Sequence, residues 1–103
     1  MGFQERVYRI VQGIPPGRVM SYSQVAKKAG SPRATRAVGT IMKKNPHPGA
    51  GPGNVPCHRV VRANGSLGGY SGPGGAAGKK NLLRKEGVVF KKGGVGKEFL
   101  ISR

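Results

Sequence analysis

The single cysteine of this chain sits among residues that could make it a nucleophile. Cys57 is preceded by Pro56 and followed by His58 and Arg59. Cationic neighbours favour the thiolate, which is the attacking form. An imidazole one residue away can take the proton, directly or through a water. Such an imidazole works best with its second nitrogen anchored, commonly by a carboxylate. The chain has three carboxylate side chains, Glu5, Glu86 and Glu98. Glu86 follows Leu82-Leu83 on a segment that reads as a core-packed helix, so it is the best-placed anchor. Glu5 and Glu98 lie near the termini and read as solvated. The plainer alternatives stand beside these readings. A solitary cysteine is commonly a small buried hydrophobe, and Glu86 could be an ordinary surface charge at a helix end. One cysteine forms no internal disulfide and excludes the usual zinc clusters.

The elements that must position these groups can be read from spacing. Phe3, Val7, Ile10, Val11 and Ile14 recur with helical period, predicting an amphipathic helix over 3–13 that Pro15-Pro16-Gly17 stops. Ser21-Tyr22-Ser23-Gln24 fits a capping box and opens a short helix through Lys28, ended by Gly30. Ser31-Pro32 is expected to open a third helix, Ser as N-cap and Pro at the first helical position. Ala34, Ala37, Val38, Ile41 and Met42 would line its apolar face, with Arg33, Arg36, Thr40, Lys43 and Lys44 largely on the others. Two short helices across a tight Gly-containing turn make a helix-turn-helix pattern with a basic second helix. A Pro/Gly-rich loop, Asn45 to Pro56, follows. Val60-Val61-Arg62 and Leu67 to Tyr70 read as a hairpin about Asn64-Gly65. Gly72 to Gly78 reads as a flexible loop and Lys79 to Glu86 as a helix stopped by Gly87. Val88-Val89-Phe90 and Glu98 to Ile101 read as a last pair of strands. The expected fold is mainly α with small β elements, a winged helix-turn-helix-like single domain over 1–103 with the helix-turn-helix at about 21–44.

Charge indicates the partner. Nineteen Lys and Arg face three acids in 103 residues, a net charge of +16. That balance on so small a body points to a polyanion, nucleic acid above all, without choosing between DNA and RNA. No apolar run is long enough to span a bilayer, and no secretory core opens the chain. The expected location is intracellular.

Five ordered segments together resemble the O6-alkylguanine-DNA alkyltransferases, also called methylated-DNA–protein-cysteine methyltransferases. Pro56-Cys57-His58-Arg59-Val60-Val61 resembles the family's active-site motif. Ile14 to Tyr22 resembles its entry to the helix-turn-helix, and Arg36-Ala37-Val38-Gly39 with Asn45-Pro46 its recognition helix and hinge. Gly65 to Gly72 resembles its pocket loop, and Leu82 to Gly87 its final helix. The resemblance covers about residues 3–90. It implies that Cys57 accepts the alkyl group, with His58 as water-mediated base and Glu86 completing the relay. Asn45 would hold the helix-turn-helix to the active-site segment. Tyr22 would contact the flipped guanine and the phosphate 3′ to it. Ser71, after Tyr70, would donate to O6, and main-chain carbonyls of Cys57 and Val60 would read the exocyclic amine. Arg36 would fill the space the base leaves. Arg33, Ala34, Thr35 and Ala37 would lie along the DNA with it. The implied partner is double-stranded DNA carrying alkylated guanine, entered from the minor groove by a monomer. No metal or other cofactor is implied.

The sequence also departs from the family pattern. The chain begins almost directly at the catalytic domain, so the family's N-terminal domain, with the zinc site it carries where one exists, is expected to be absent. Gly49 to Gly53 lengthens the loop before Cys57, and Gly72–Gly78 is slightly long. Similarly short alkyltransferase-like proteins bind and flip the lesion without transfer and recruit excision repair. Those usually carry Trp or another residue in place of the acceptor, whereas this chain has Cys57 and no Trp.

Overall fold

A computed structural model describes residues 2–49, 51, 53–68, 70, 72, 74–91 and 94–101. Helix α1 (Phe3–Gln12) buries Val7 and Val11, one turn apart, and stops before the Pro15-Pro16 pair. Strand β1 (Met20–Ser21) leads directly into α2 (Tyr22–Lys28). The capping box is formed: the Ser21 hydroxyl accepts from the Gln24 amide at 3.1 Å, and the Gln24 side chain accepts from the Ser21 amide at 3.0 Å. Val25 and Ala26 face inward, and α2 packs on both α1 and α3 (Thr35–Lys43). Val38 and Met42 of α3 close this first core, which also takes in Ile14, Val55, Cys57 and Val60.

Helix α3 begins at Thr35, later than the Ser31-Pro32 signal predicts. The Ala34 amide bonds the Ser31 carbonyl at 2.9 Å, and Ser31 makes no cap. Ser-Pro suits the first two positions of a β-turn as well as a helix start, and here the turn wins. Ala37 is exposed, so the apolar face is narrower than predicted: Val38 and Met42 with part of Ile41 and Ala34.

A 3₁₀ turn, Cys57–Arg59, follows the loop and runs into β2 (Val60–Val61). The predicted hairpin is corrected here. Strand β2 pairs in parallel with β1, Met20 opposite Val60 and Ser21 opposite Val61. The Asn64-Gly65 turn does form, with the Gly65 amide on the Arg62 carbonyl and the Arg62 amide on the Ser66 carbonyl. Beyond it the chain leaves the ladder. Helix α4 (Gly75–Lys85) starts earlier than predicted, inside the Gly-rich stretch. Ala76 and Ala77 favour a helix, and the inward packing of Lys79 and Leu83 outweighs two glycines. The last strands also differ from expectation. β3 (Phe90–Lys91) pairs antiparallel with β4 (Gly94–Val95), while residues 97–99 form a 3₁₀ turn. The Val19 amide bonds the Phe99 carbonyl at 2.9 Å, and the Ile101 amide bonds the Val19 carbonyl at 2.8 Å. This returning segment builds a second core of Val19, Val61, Leu83, Val88 and Val95, on which α4 rests. The chain is therefore mainly helical with small sheets, as its sequence predicts. No helix among the described residues is long and apolar enough to cross a membrane.

Candidate active site and nucleic-acid interface

Cys57, His58 and Arg59 occupy one 3₁₀ turn, held by the Cys57 amide on the Val55 carbonyl and the Arg59 amide on the Pro56 carbonyl. Helix α4 packs against this turn and brings Glu86, its C-cap residue, under the imidazole. His58 Nε2 lies 3.1 Å from Glu86 Oε2. A carboxylate only accepts, so Nε2 carries the hydrogen and Nδ1 keeps a lone pair. Nδ1 has no hydrogen-bond partner among the described residues. Burial pushes the His58 pKa below its ordinary value, against the opposing pull of Glu86; the nearby Arg59 and Lys79 add to the lowering. The imidazole is thus neutral near pH 7 and able to accept a proton.

Arg59 is buried too. Its Nε bonds Glu86 Oε1 at 2.9 Å, its Nη2 bonds Oε2, and its Nη1 reaches the Ile14 carbonyl at 2.8 Å. Burial alone would raise the Glu86 carboxyl, but the hydrogen bonds from Arg59 and His58 outweigh it and hold the pKa below 4.5. The sequence showed Arg59 only as a cation beside the thiol. Its guanidinium instead turns to the carboxylate of the partly buried Glu86. Glu5 and Glu98 are exposed, and Glu98 pairs with Lys91 at 3.4 Å.

Lys79 was missed altogether at the sequence level. It stands four residues before Leu83, on the face of α4 that enters the core, and that spacing was the available signal. Its side chain has no solvent exposure; Nζ bonds the Val60 carbonyl at 2.7 Å and the Leu67 carbonyl at 2.6 Å. Burial pushes its pKa down to about 8, with Cys57 opposing and Arg62 reinforcing the shift. The ammonium ties the strand after Cys57 to the Leu67 segment and lies 5.7 Å from the Tyr22 ring. The Val60 carbonyl, named in the sequence reading as a base contact, is therefore already engaged by Lys79.

The thiol itself is enclosed: Cys57 is 2% exposed and belongs to the first core. Tyr22 and Tyr70 pack against this same core. Burial first, and Cys57 second, raise both phenol pKa values, so both hydroxyls stay protonated. The Tyr70 ring meets the His58 ring edge-on at 6.3 Å. Gly68 adopts a left-handed φ of +71°, and a Cβ there would stand 2.9 Å from the Tyr22 hydroxyl. Only glycine permits that approach. Ser71 lies outside the described residues, as do Ala50 and Pro52 of the lengthened loop. Asn45 is buried at the end of α3. Its Nδ2 donates to the Val55 carbonyl at 2.8 Å, and its Oδ1 accepts from the His47 amide, linking α3 to the chain two residues before Cys57.

A groove of about 480 Å³ runs between α3 and the segment after β2. Thr35, Arg36, Gly39, Thr40 and Lys43 line it on the α3 side, Arg62 and Gly68 on the other, with Tyr22 and Met42 between. Arg33 and Ala34 line a separate surface with Ser31 and Pro32. Cys57, His58, Glu86 and Tyr70 thus gather around the Cys57–Arg59 turn, Thr35 and Arg36 border the groove with Tyr22, and Arg33, Ala34 and exposed Ala37 stand apart from it.

A helix-turn-helix domain that carries a basic groove together with a cysteine, a carboxylate-anchored histidine and a buried lysine is the class of protein these features define. Residues 2–88 match the family described as 6-O-methylguanine DNA methyltransferase, DNA binding domain, and the chain belongs to that family. It is 45% identical over 82 residues to the methylated-DNA–protein-cysteine methyltransferase of Cricetulus griseus, a match covering 80% of this chain and 37% of that protein. The chain thus spans well under half the length of that relative. The structure of Mycobacterium tuberculosis OGT in complex with DNA superposes with a TM-score of 0.74 at 42% identity, covering 84% of this chain and 50% of that one. S. pombe Atl1 in complex with damaged DNA containing O6-carboxymethylguanine has a TM-score of 0.74 at 29% identity, covering 98% of this chain and 95% of that one.

Proposed function

We propose that this chain repairs O6-alkylguanine in duplex DNA by taking the alkyl group onto Cys57 in one stoichiometric turnover. The observation that carries the reading is a neutral, Glu86-anchored imidazole whose Nδ1 has no hydrogen-bond partner among the described residues, in the same turn as Cys57. The helix-turn-helix and this site form one DNA-binding and catalytic unit. Helix α3 enters the minor groove, where its small Gly39 and Ala37 allow close approach. The base must leave the stack to reach a thiol with so little exposure, and Arg36 fills the space it vacates. The Cys57 proton passes through a water to His58. The sulfur then attacks the alkyl carbon, forming a C–S bond, and the C–O6 bond breaks with its electron pair going to guanine. Guanine takes up a proton, leaving an unmodified base and an S-alkylcysteine. Tyr22, held protonated, is positioned to help the base leave neutral. Asn45, Ser71, Tyr70 and the Cys57 carbonyl retain the roles the family resemblance implies, while the Val60 carbonyl is taken by Lys79.

A second reading has its own support. The chain superposes on S. pombe Atl1 in complex with damaged DNA with a TM-score of 0.74 over 98% of its length. On that reading the chain binds and flips the lesion without transfer. Two measurements on one O6-methylguanine duplex separate the readings: the methylated base remaining after incubation, and the affinity relative to undamaged duplex. Transfer removes one lesion per protein and stops, and Cys57→Ala loses repair while keeping lesion binding. Tight binding with every lesion intact would establish the second reading.

A further inference from the structure

Arg62 is a groove cation for which neither the relay nor the recognition helix accounts. It stands on the wall of the groove opposite α3, facing the side that carries Arg36 and Lys43. Its backbone is pinned at both ends of the Asn64-Gly65 turn: the Arg62 amide bonds the Ser66 carbonyl at 2.9 Å, and its carbonyl accepts from the Gly65 amide at 2.8 Å. That turn is braced by the Val95 amide on the Gly65 carbonyl at 2.8 Å. The guanidinium is exposed and makes no hydrogen bond or ion pair among the described residues. No acid lines the groove; Glu86 is committed to Arg59 and His58, and Glu98 to Lys91. An arginine held on a braced turn at the edge of an acid-free groove suits a phosphate, whose oxygens its fork meets in pairs.

The wall fixes which phosphate. Arg62 lies five residues after Cys57, on the site side of the groove, and its charge is felt at both Tyr22 and Lys79. A nucleotide rotating out of the stack toward Cys57 carries its own flanking phosphates to that wall, whereas the complementary strand stays across the groove. Resting on the function proposed above, we infer that Arg62 clamps a phosphate flanking the extruded nucleotide and is a positioning residue for lesion engagement rather than for the chemical step.

The test uses the full chain, its Arg62→Ala and Arg62→Lys variants, and duplexes with one O6-methylguanine. One set carries a neutral methylphosphonate beside the lesion, the other at the matching position of the complementary strand. Single-turnover transfer against DNA concentration gives the half-saturating concentration and the limiting rate. Arg62→Ala should raise the former roughly tenfold, reduce the salt slope by about one and leave the limiting rate within about twofold, Lys recovering part of the loss. The lesion-strand methylphosphonate should weaken wild type by a similar factor and Arg62→Ala no further. Unchanged half-saturation and salt slope in Arg62→Ala, independent effects of variant and methylphosphonate, or coupling only to the complementary strand would each overturn the clamp. Wild-type transfer is read in the same titration. A chain that transfers normally with or without Arg62 therefore defeats the clamp alone. A wild-type chain that binds the lesion duplex without transfer defeats the transfer reading alone.

Discussion

The two halves of the site are built on opposite principles. Around the Cys57–Arg59 turn, His58, Arg59 and Lys79 are buried and Glu86 is partly so, and each is held by at least one short polar contact to a fixed partner. Across the groove, Arg36 and Lys43 on α3 and Arg62 on a hydrogen-bonded turn are exposed to solvent. The contrast shows how the work divides. On the function proposed above, the chemistry is preset by partners within the chain, whereas the groove cations await partners from outside. Substitutions around the turn should therefore alter rate and stability together, and substitutions along the groove should alter affinity and its salt dependence.

The sharpest break is Cys57→Ser. A hydroxyl replaces the nucleophile without changing shape, so transfer should fall by at least roughly 10³-fold while lesion binding persists, read by single-turnover repair beside a binding titration. Next is Arg59→Met. Removing the guanidinium leaves a partly buried carboxylate without its main partner, at a cost of about 2 kcal/mol in denaturant unfolding. The milder Glu86→Gln keeps the shape but loses the charge that anchors Nε2–H, and should slow transfer on the order of 10²-fold at saturating DNA.

Acid should separate the two regions next. The folded His58 pKa lies below 6.5, so in the window between that folded value and 6.5 the unfolded chain binds more protons and stability falls as pH falls. The Glu86 contribution is present above 4.5 and is lost as pH drops through its lower folded value. Lys79 acts with the same sign at the other end: its folded value of about 8 lies below 10.5, so stability rises as pH climbs between them. Thermal melts from pH 4 to 10 should show these slopes, and His58→Gln should remove the one just below 6.5. Arg36→Ala should leave every melt unchanged and weaken base extrusion roughly tenfold, read with a fluorescent base analogue. The smallest effect belongs to Lys91→Ala, where loss of the exposed pair with Glu98 should leave the melting temperature unmoved.

Much of this arrangement is legible in the residues. The capping box, the helical period of Val7 and Val11, and the Pro15-Pro16 stop are local signals, and local hydrogen bonding honours them. Glu86 could be named as the anchor because three carboxylates left few candidates. What escaped the sequence depends on contacts between distant segments. The parallel pairing of Met20 with Val60 cannot be read from either strand, and the Asn64-Gly65 turn suggested the nearer partner. Ser31-Pro32 serves equally as turn and helix start, and only the Ala34-to-Ser31 bond decides. The inward course of Lys79 and Arg59 runs against the habit of long cations to reach water; it holds because main-chain carbonyls and Glu86 receive them. Arg62 carried no signal until its wall was seen to face α3.

Intact-mass measurement, followed by peptide mapping after one incubation with an O6-methylguanine duplex, reaches the claim beneath all of these. The account predicts one methyl group per chain, on the peptide containing Cys57, and none after undamaged duplex. An unchanged mass beside saturated lesion binding, or a methyl group on any other residue, would contradict it.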